Sequence, residues 1–190
     1  MTSVLGPGRA DEMNVAELAG AAAGGDRAAL KTLIETHYDR IYRMAWRWSG
    51  SVQMAEDVAQ DVCIKVATSI SGFRGQAKFT TWLWQIVYRT ALDHQRISGR
   101  QQLHPPDTLQ TLVDARQWQT HDGDAESDYD DLWSAVRALP PQQRDAVLLV
   151  YAETLSHAEA ADVLGCTAKT VSWHLHEARK TLRAQLEAAE

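Results

Sequence analysis

Cysteine is nearly absent, with only Cys63 and Cys166 in 190 residues. The two fall in different helical stretches and neither has a ligand partner at metal-binding spacing, so neither a disulfide framework nor a metal site is expected. Long apolar runs are also lacking. No stretch approaches a membrane span, and the N-terminus MTSVLGPGRADE has no basic start followed by an apolar core, so the expectation is a cytoplasmic chain with no membrane insertion. Strand-like alternation of apolar and polar residues is missing from the N-terminal half, which argues against an α/β enzyme core and against a serine-recombinase reading. No catalytic constellation and no cofactor motif is found. Among the seven histidines, His174 and His176 point to different sides of a helix. Nor is there an excess of positive charge. With 19 basic and 25 acidic residues, the chain is not a polycation that coats nucleic acid.

What the chain does have is an uneven distribution of that charge. Residues 26–100 hold eleven basic and seven acidic residues, a net of +4, whereas residues 101–128 hold one and six, a net of −5. The acidic stretch QQLHPPDTLQTLVDARQWQTHDGDAESD carries two prolines and many polar residues, the signature of a tether, with one short helical turn expected around Leu109 to Trp118. The boundaries that follow are an N-terminal extension over 1–25, a helical domain over 26–100, a flexible acidic linker over 101–128 and a second helical domain over 129–190. The fold class is all-α.

The second domain contains the most specific pattern, SHAEAADVLGCTAKTVSWHLHEARKTLR from Ser156 to Arg183. Ser156 with Glu159 makes a reciprocal helix cap, and Gly165 suits the left-handed residue that ends a helix. Thr167 then caps a helix in which Val171, Leu175, Ala178 and Leu182 recur at helical spacing, leaving Lys169, Ser172, Trp173 and His176 outside. Two helices around a Gly turn, the second with a polar outer face, form a helix-turn-helix whose second helix can enter a major groove. An ordinary helical hairpin satisfies the same local pattern. Upstream, Leu132, Val136 and Leu139 mark a helix ending before Pro140. Pro141 suits the first turn of the next helix, in which Val147, Leu148, Val150 and Tyr151 are expected to face the core.

In the first domain, Asn14 with Glu17 reads as the start of a short helix that breaks at Gly24 and Gly25. Asp26 begins a long amphipathic helix with Leu30, Leu33, Ile34, Ile41, Ala45 and Trp48 on one face and Arg40, Arg43 and Arg47 on another. Ser51 begins a third helix, on whose outer face Asp57, Gln60 and Asp61 stand at i, i+3 and i+4 as one compact patch. The loop FRGQAKF, Phe73 to Phe79, precedes TTWLWQIVYRTALDHQR. There a basic loop bounded by aromatics meets a helix bearing Tyr, Trp and Arg, the equipment for stacking bases and pairing phosphates of a single strand. Part of this set is also what a helical core with arginines solvating its outside would contain.

Together these pieces resemble a family. AEDVAQDV followed by FRGQAKFTTWLWQI and ALDHQR is similar to the second conserved region of bacterial RNA polymerase sigma factors of the extracytoplasmic-function (ECF) type. LPPQQRDAVLLVYAETLSHAEAADVLGCTAKTV with HLHEARKTL resembles their fourth. The resemblance implies a non-catalytic initiation subunit. It places Asp57, Gln60 and Asp61 on the clamp helices of the largest core subunit, with a further contact at the flap region. It assigns minus-ten recognition and melting to Gly75, Lys78, Phe79, Trp84, Tyr88, Arg89 and Arg96, within the loop Gly75–Phe79 and a helix from Thr80 to Arg96. It assigns duplex minus-thirty-five recognition to Lys169, Thr170, Ser172, Trp173, His176, Arg179 and Lys180. Promoter DNA, core polymerase and an anti-sigma factor are the implied partners, and the linker would thread toward the RNA exit path. Arg89 stands where many members have Asn, and Ser172 and Glu177 where basic residues are common. The alternative from another class is a conventional helix-turn-helix regulator with a helical sensor domain. It calls for a ligand pocket or phosphoacceptor in residues 1–100, and the sequence offers neither.

Overall fold

A computed structural model describes residues 7–101 and 126–187, and these are helical with no strand among them. The order is α1 (Pro7–Ala23), α2 (Arg27–Ser49), α3 (Val52–Ser69), a 3₁₀ turn (Ile70–Gly72), α4 (Phe79–Gln101), α5 (Glu126–Arg137), α6 (Pro141–Val147) running into a π turn (Leu148–Ala152), α7 (His157–Leu164) and α8 (Ala168–Glu187). The tether expected over 101–128, with its turn around Leu109 to Trp118, falls mostly outside the described residues. No helix among those described is long and apolar enough to cross a membrane.

Local chemistry sets most boundaries. Asp26 Oδ1 accepts the amides of Ala28 at 2.8 Å and Ala29 at 3.2 Å, satisfying donors that a helix start leaves unpaired. At the other end of α2, Gly50 takes φ 68° and donates its amide to Trp46 O. A side chain there would be strained and would meet the Arg137 side chain at 3.1 Å, so only glycine lets the turn lie this close. Ser51 Oγ then accepts the Met54 amide and opens α3 at once. Leu33, Ile41, Met44, Val58, Val62, Leu83, Trp84 and Val87 fill the core between α2, α3 and α4. Cys63 lies half-buried beside them, and burial pushes its thiol pKa up, away from the reactive thiolate.

Three expectations are corrected. α1 begins at Pro7, so Asn14 lies inside the helix rather than capping it; proline is tolerated at a first helical position and nothing downstream of it stops the winding. α4 begins at Phe79, one residue before Thr80, and Phe79 is buried rather than displayed on the loop. Its ring meets His37 edge-on at 5.4 Å and packs against Phe73 and Trp82. In the C-terminal domain Leu149 is buried and Tyr151 is exposed, the reverse of a regular helical register. The helix widens at Leu148–Ala152, with Glu153 N–H donating to Leu148 O, and the extra residue per turn rotates Tyr151 outward and Glu153 inward.

α8 packs over α6 and α7 through Val171, Leu175 and Ala178, all fully buried. Leu175→Ala should cost about 2–5 kcal/mol, the range for a buried leucine whose cavity relaxes only in part. Urea titration should show a lower midpoint with an unchanged slope.

Candidate nucleic-acid and core-docking surfaces

The helix-turn-helix forms as the sequence pattern requires. Ser156 Oγ accepts the Glu159 amide at 3.2 Å while the Glu159 carboxylate accepts the Ser156 amide at 2.9 Å. Gly165 then turns at φ 68°. Thr167 Oγ1 accepts the Thr170 amide at 3.1 Å and opens α8. With Val171, Leu175 and Ala178 inward, Lys169, Ser172, Trp173, His176, Arg179 and Lys180 stand on the exposed side, and Trp173 is the most apolar of them at 56% exposure. Thr170 is half-buried, its hydroxyl paired with Thr167 at 2.8 Å, so it belongs to the cap more than to the open face.

Two neighbours on this face were not legible from spacing. Ser172 Oγ donates to Ala168 O, so it accepts from His157 Nδ1 at 2.9 Å, which fixes that tautomer and ties α7 to the outer face of α8. Arg179 Nε donates to the Tyr151 hydroxyl at 3.1 Å.

On α3, Asp57 and Gln60 are exposed, and Asp61 keeps half its side chain in solvent while one oxygen meets His94 Nε2 at 2.8 Å. Ile64, one turn beyond Asp61 on the same face, is 61% exposed. An apolar residue in an otherwise charged row was the available signal for it.

α4 divides its assigned residues. Gly75 (φ 68°), Arg89 and Arg96 are exposed, with Arg96 loosely paired to Asp93 at 3.9 Å. Lys78 is also exposed but reaches Glu159 of α7 at 3.3 Å. Trp84 is a core residue, 1% exposed, and Tyr88 is half-covered by the C-terminal domain. Neither is displayed in this arrangement, because α7 lies across α4 and Gln85 Nε2 donates to Asp162 O at 3.2 Å.

The cover is polar as well as apolar. Asp145 accepts the Trp48 indole N–H at 2.6 Å and Arg144 Nε at 3.2 Å. Burial and Asp145 together push the Tyr88 phenol up. Glu153, 3% exposed at its side chain, pairs with Arg40 at 2.9 Å and Arg47 at 3.5 Å. Burial pushes the Glu153 carboxyl above the usual carboxylate range, against the opposing pull of Arg40, Arg47 and Arg43. No sequence signal marked Asp145 or Glu153, whose partners on α2 lie 97 and 113 residues away.

Comparison with known proteins shows the same two units. A Sigma-70 region 2 family model matches residues 33–101, and a Sigma-70, region 4 family model matches residues 129–182. The ECF RNA polymerase sigma factor SigE of Mycolicibacterium smegmatis is 34% identical over 173 residues, covering 86% of this chain, which spans 65% of that protein's length. The RNA polymerase sigma-H factor of Pseudomonas aeruginosa is 31% identical over 174 residues, covering 86% of this chain and 89% of its own. SigM of Mycobacterium tuberculosis is 31% identical over 180 residues, covering 94% and 87%. In fold, the chain is similar to CnrH in complex with the cytosolic domain of CnrY, with a TM-score of 0.72, 22% identity, and coverage of 93% of this chain and 99% of that one. It is also similar to RpoE in complex with the anti-sigma factor NepR from Bartonella quintana, with a TM-score of 0.67, 22% identity, and coverage of 84% and 98%.

A carboxyl whose folded-state pKa is raised binds its proton more tightly folded than unfolded, so its charged form costs stability at neutral pH. That cost should vanish as pH falls through the folded value toward the ordinary one. Glu153→Gln should therefore equal or exceed the wild type at neutral pH, with the difference closing in mildly acidic buffer. Urea titrations of both proteins across that range read it directly.

Proposed function

Because the chain belongs to the extracytoplasmic-function type of bacterial RNA polymerase sigma factors, we propose that it directs core polymerase to a small set of promoters, with the labour divided between its two helical domains. The observation that carries this is the presence, on one chain and in order, of a region 2 unit over α2–α4 and a region 4 unit over α5–α8 with a formed helix-turn-helix. The match of residues 33–101 to region 2 disfavours the reading of that half as a sensor domain. The protein acts as a non-enzymatic initiation factor in the cytoplasm.

In this reading Asp57, Gln60 and Asp61, with Ile64 at the end of their row, dock on the clamp helices of the largest core subunit. A charged patch with one apolar residue supports that role, since charges give orientation and the isoleucine gives buried area. Gly75, Lys78, Arg89 and Arg96 face the minus-ten element, and the positive balance of residues 26–100 supplies the phosphate affinity that opening a duplex requires. Phe79 and Trp84 support this surface from the core, and Tyr88 joins it when uncovered. α8 enters the major groove of the minus-thirty-five element. Lys169, Arg179 and Lys180 are suited to phosphates there, while Ser172, Trp173 and His176 are suited to base edges and thymine methyls. Control by an anti-sigma factor is proposed because RpoE, similar in fold, was solved with the anti-sigma factor NepR.

Run-off transcription with purified core polymerase from a related bacterium tests the function: core alone should not initiate on cognate upstream DNA, and the mixture should. Asp57→Ala, Gln60→Ala and Asp61→Ala combined should weaken co-elution with core at least tenfold while leaving helicity unchanged, and undiminished co-elution would remove the docking patch. Trp173→Ala with His176→Ala should reduce transcription most at promoters with a strong upstream element. Equal loss at promoters without one would contradict that assignment.

A further inference from the structure

The surfaces that meet between the two domains are chemically opposite. From the N-terminal side come cations and aromatic rings. Arg40 and Arg47 lie one face apart on α2, with the Arg40 guanidinium 5.6 Å over the Trp84 ring, and the Trp48 indole N–H and the Lys78 ammonium flank them. From the C-terminal side come three carboxylates. Asp145 takes the Trp48 N–H, Glu153 sits between Arg40 and Arg47, and Glu159 takes Lys78.

The Glu153 contact is the most informative. Arg40 donates through both Nε (3.2 Å) and Nη2 (2.9 Å) to one carboxylate oxygen, while Arg47 approaches the other. Guanidinium groups bind carboxylate and phosphate with the same donor fork, so a site filled by one anion suits the other. A cation over an indole beside such a site is the arrangement in which a strand is held, phosphate on the guanidinium and base on a ring. The C-terminal core does not need Glu153 where it is. Its ion-pair partners lie on α2, and the π turn at Leu148–Ala152 brings it there while turning Tyr151 to solvent.

We infer that Arg40 and Arg47 are a phosphate-binding site for single-stranded DNA, continuous with the strand-facing surface of α4, and that Glu153 occupies this site intramolecularly in the closed chain. The inference rests on reading α4 as the strand-holding element. The C-terminal domain then competes with the strand for the same donors, and the free protein binds single strands poorly until its domains part. Because the buried carboxylate is held above the ordinary range, the contact is weak enough to yield to a polyanion.

The test uses the full chain and a fluorescent single-stranded DNA 20-mer, read by anisotropy at low salt. Glu153→Lys sets a third cation between the arginines and should tighten binding at least fivefold, whereas Glu35→Lys, the same charge change on an exposed turn of α2, should change it less than twofold. Adding Arg40→Ala and Arg47→Ala to Glu153→Lys should abolish the gain. A cross-linked chain decides the matter if Glu153→Lys does not fold. Gln85→Cys with Asp162→Cys, whose side chain and carbonyl are already in contact, should bind the 20-mer at least fivefold more weakly when oxidised than after reduction. A folded Glu153→Lys chain with wild-type affinity, a gain that survives loss of both arginines, or equal binding by oxidised and reduced cross-linked chains overturns the inference. Run-off transcription by the wild type with core separates the two failures: the inference falls alone if initiation is normal, and the sigma reading falls with it if initiation is absent.

Discussion

Two buried carboxylates, Asp145 and Glu153, decide how the two halves of this molecule meet. A charge taken out of water costs several kcal/mol unless donors replace its hydration. Here the replacements come mainly from across the domain boundary, as the Trp48 indole, Arg40 and Arg47. Each domain has an apolar core of its own, around Leu33 and Val62 on one side and Leu148 and Leu175 on the other. The boundary between them adds polar pairings that are satisfied only while the domains touch. Such a contact specifies one orientation without contributing much net stability, because desolvation consumes most of the attraction.

This balance suits a factor whose two reading heads must serve different forms of DNA. The minus-ten surface needs cations and rings facing an opened strand, and the minus-thirty-five surface needs a helix free to enter a groove. In the closed chain α8 keeps its outer face exposed, while α4 loses Tyr88 and Gln85 beneath α7. Duplex recognition is thus the less hindered activity, and strand capture the more hindered one. Core polymerase, which holds the domains apart on its own surface, would relieve the second constraint by geometry alone.

Much of this architecture was legible in the residues. The reciprocal cap at Ser156 and Glu159, the turn at Gly165 and the stripe Val171, Leu175, Ala178 are local patterns, and each appears where its spacing placed it. Asp26, Gly50 and Ser51 set the ends of α2 and α3 for the same reason. What escaped was non-local. Tyr151 seemed to face inward because a regular period was assumed, and a π turn has no marker in the chain. Phe79 and Trp84 looked like displayed aromatics, yet three helices converge on them. Asp145 and Glu153 read as ordinary surface acids, since nothing near them in the sequence announces arginines from another domain.

The supernumerary residue in Leu148–Ala152 ties these observations to heredity. Loss of any one position there would let the helix wind regularly, and at 3.6 residues per turn everything downstream would swing by about 100°. Glu153 would leave its arginines and the DNA-reading module would point elsewhere, though no core side chain had changed its chemistry. Lineages carrying this fold can therefore drift widely in composition through this segment while being held to a fixed count of residues.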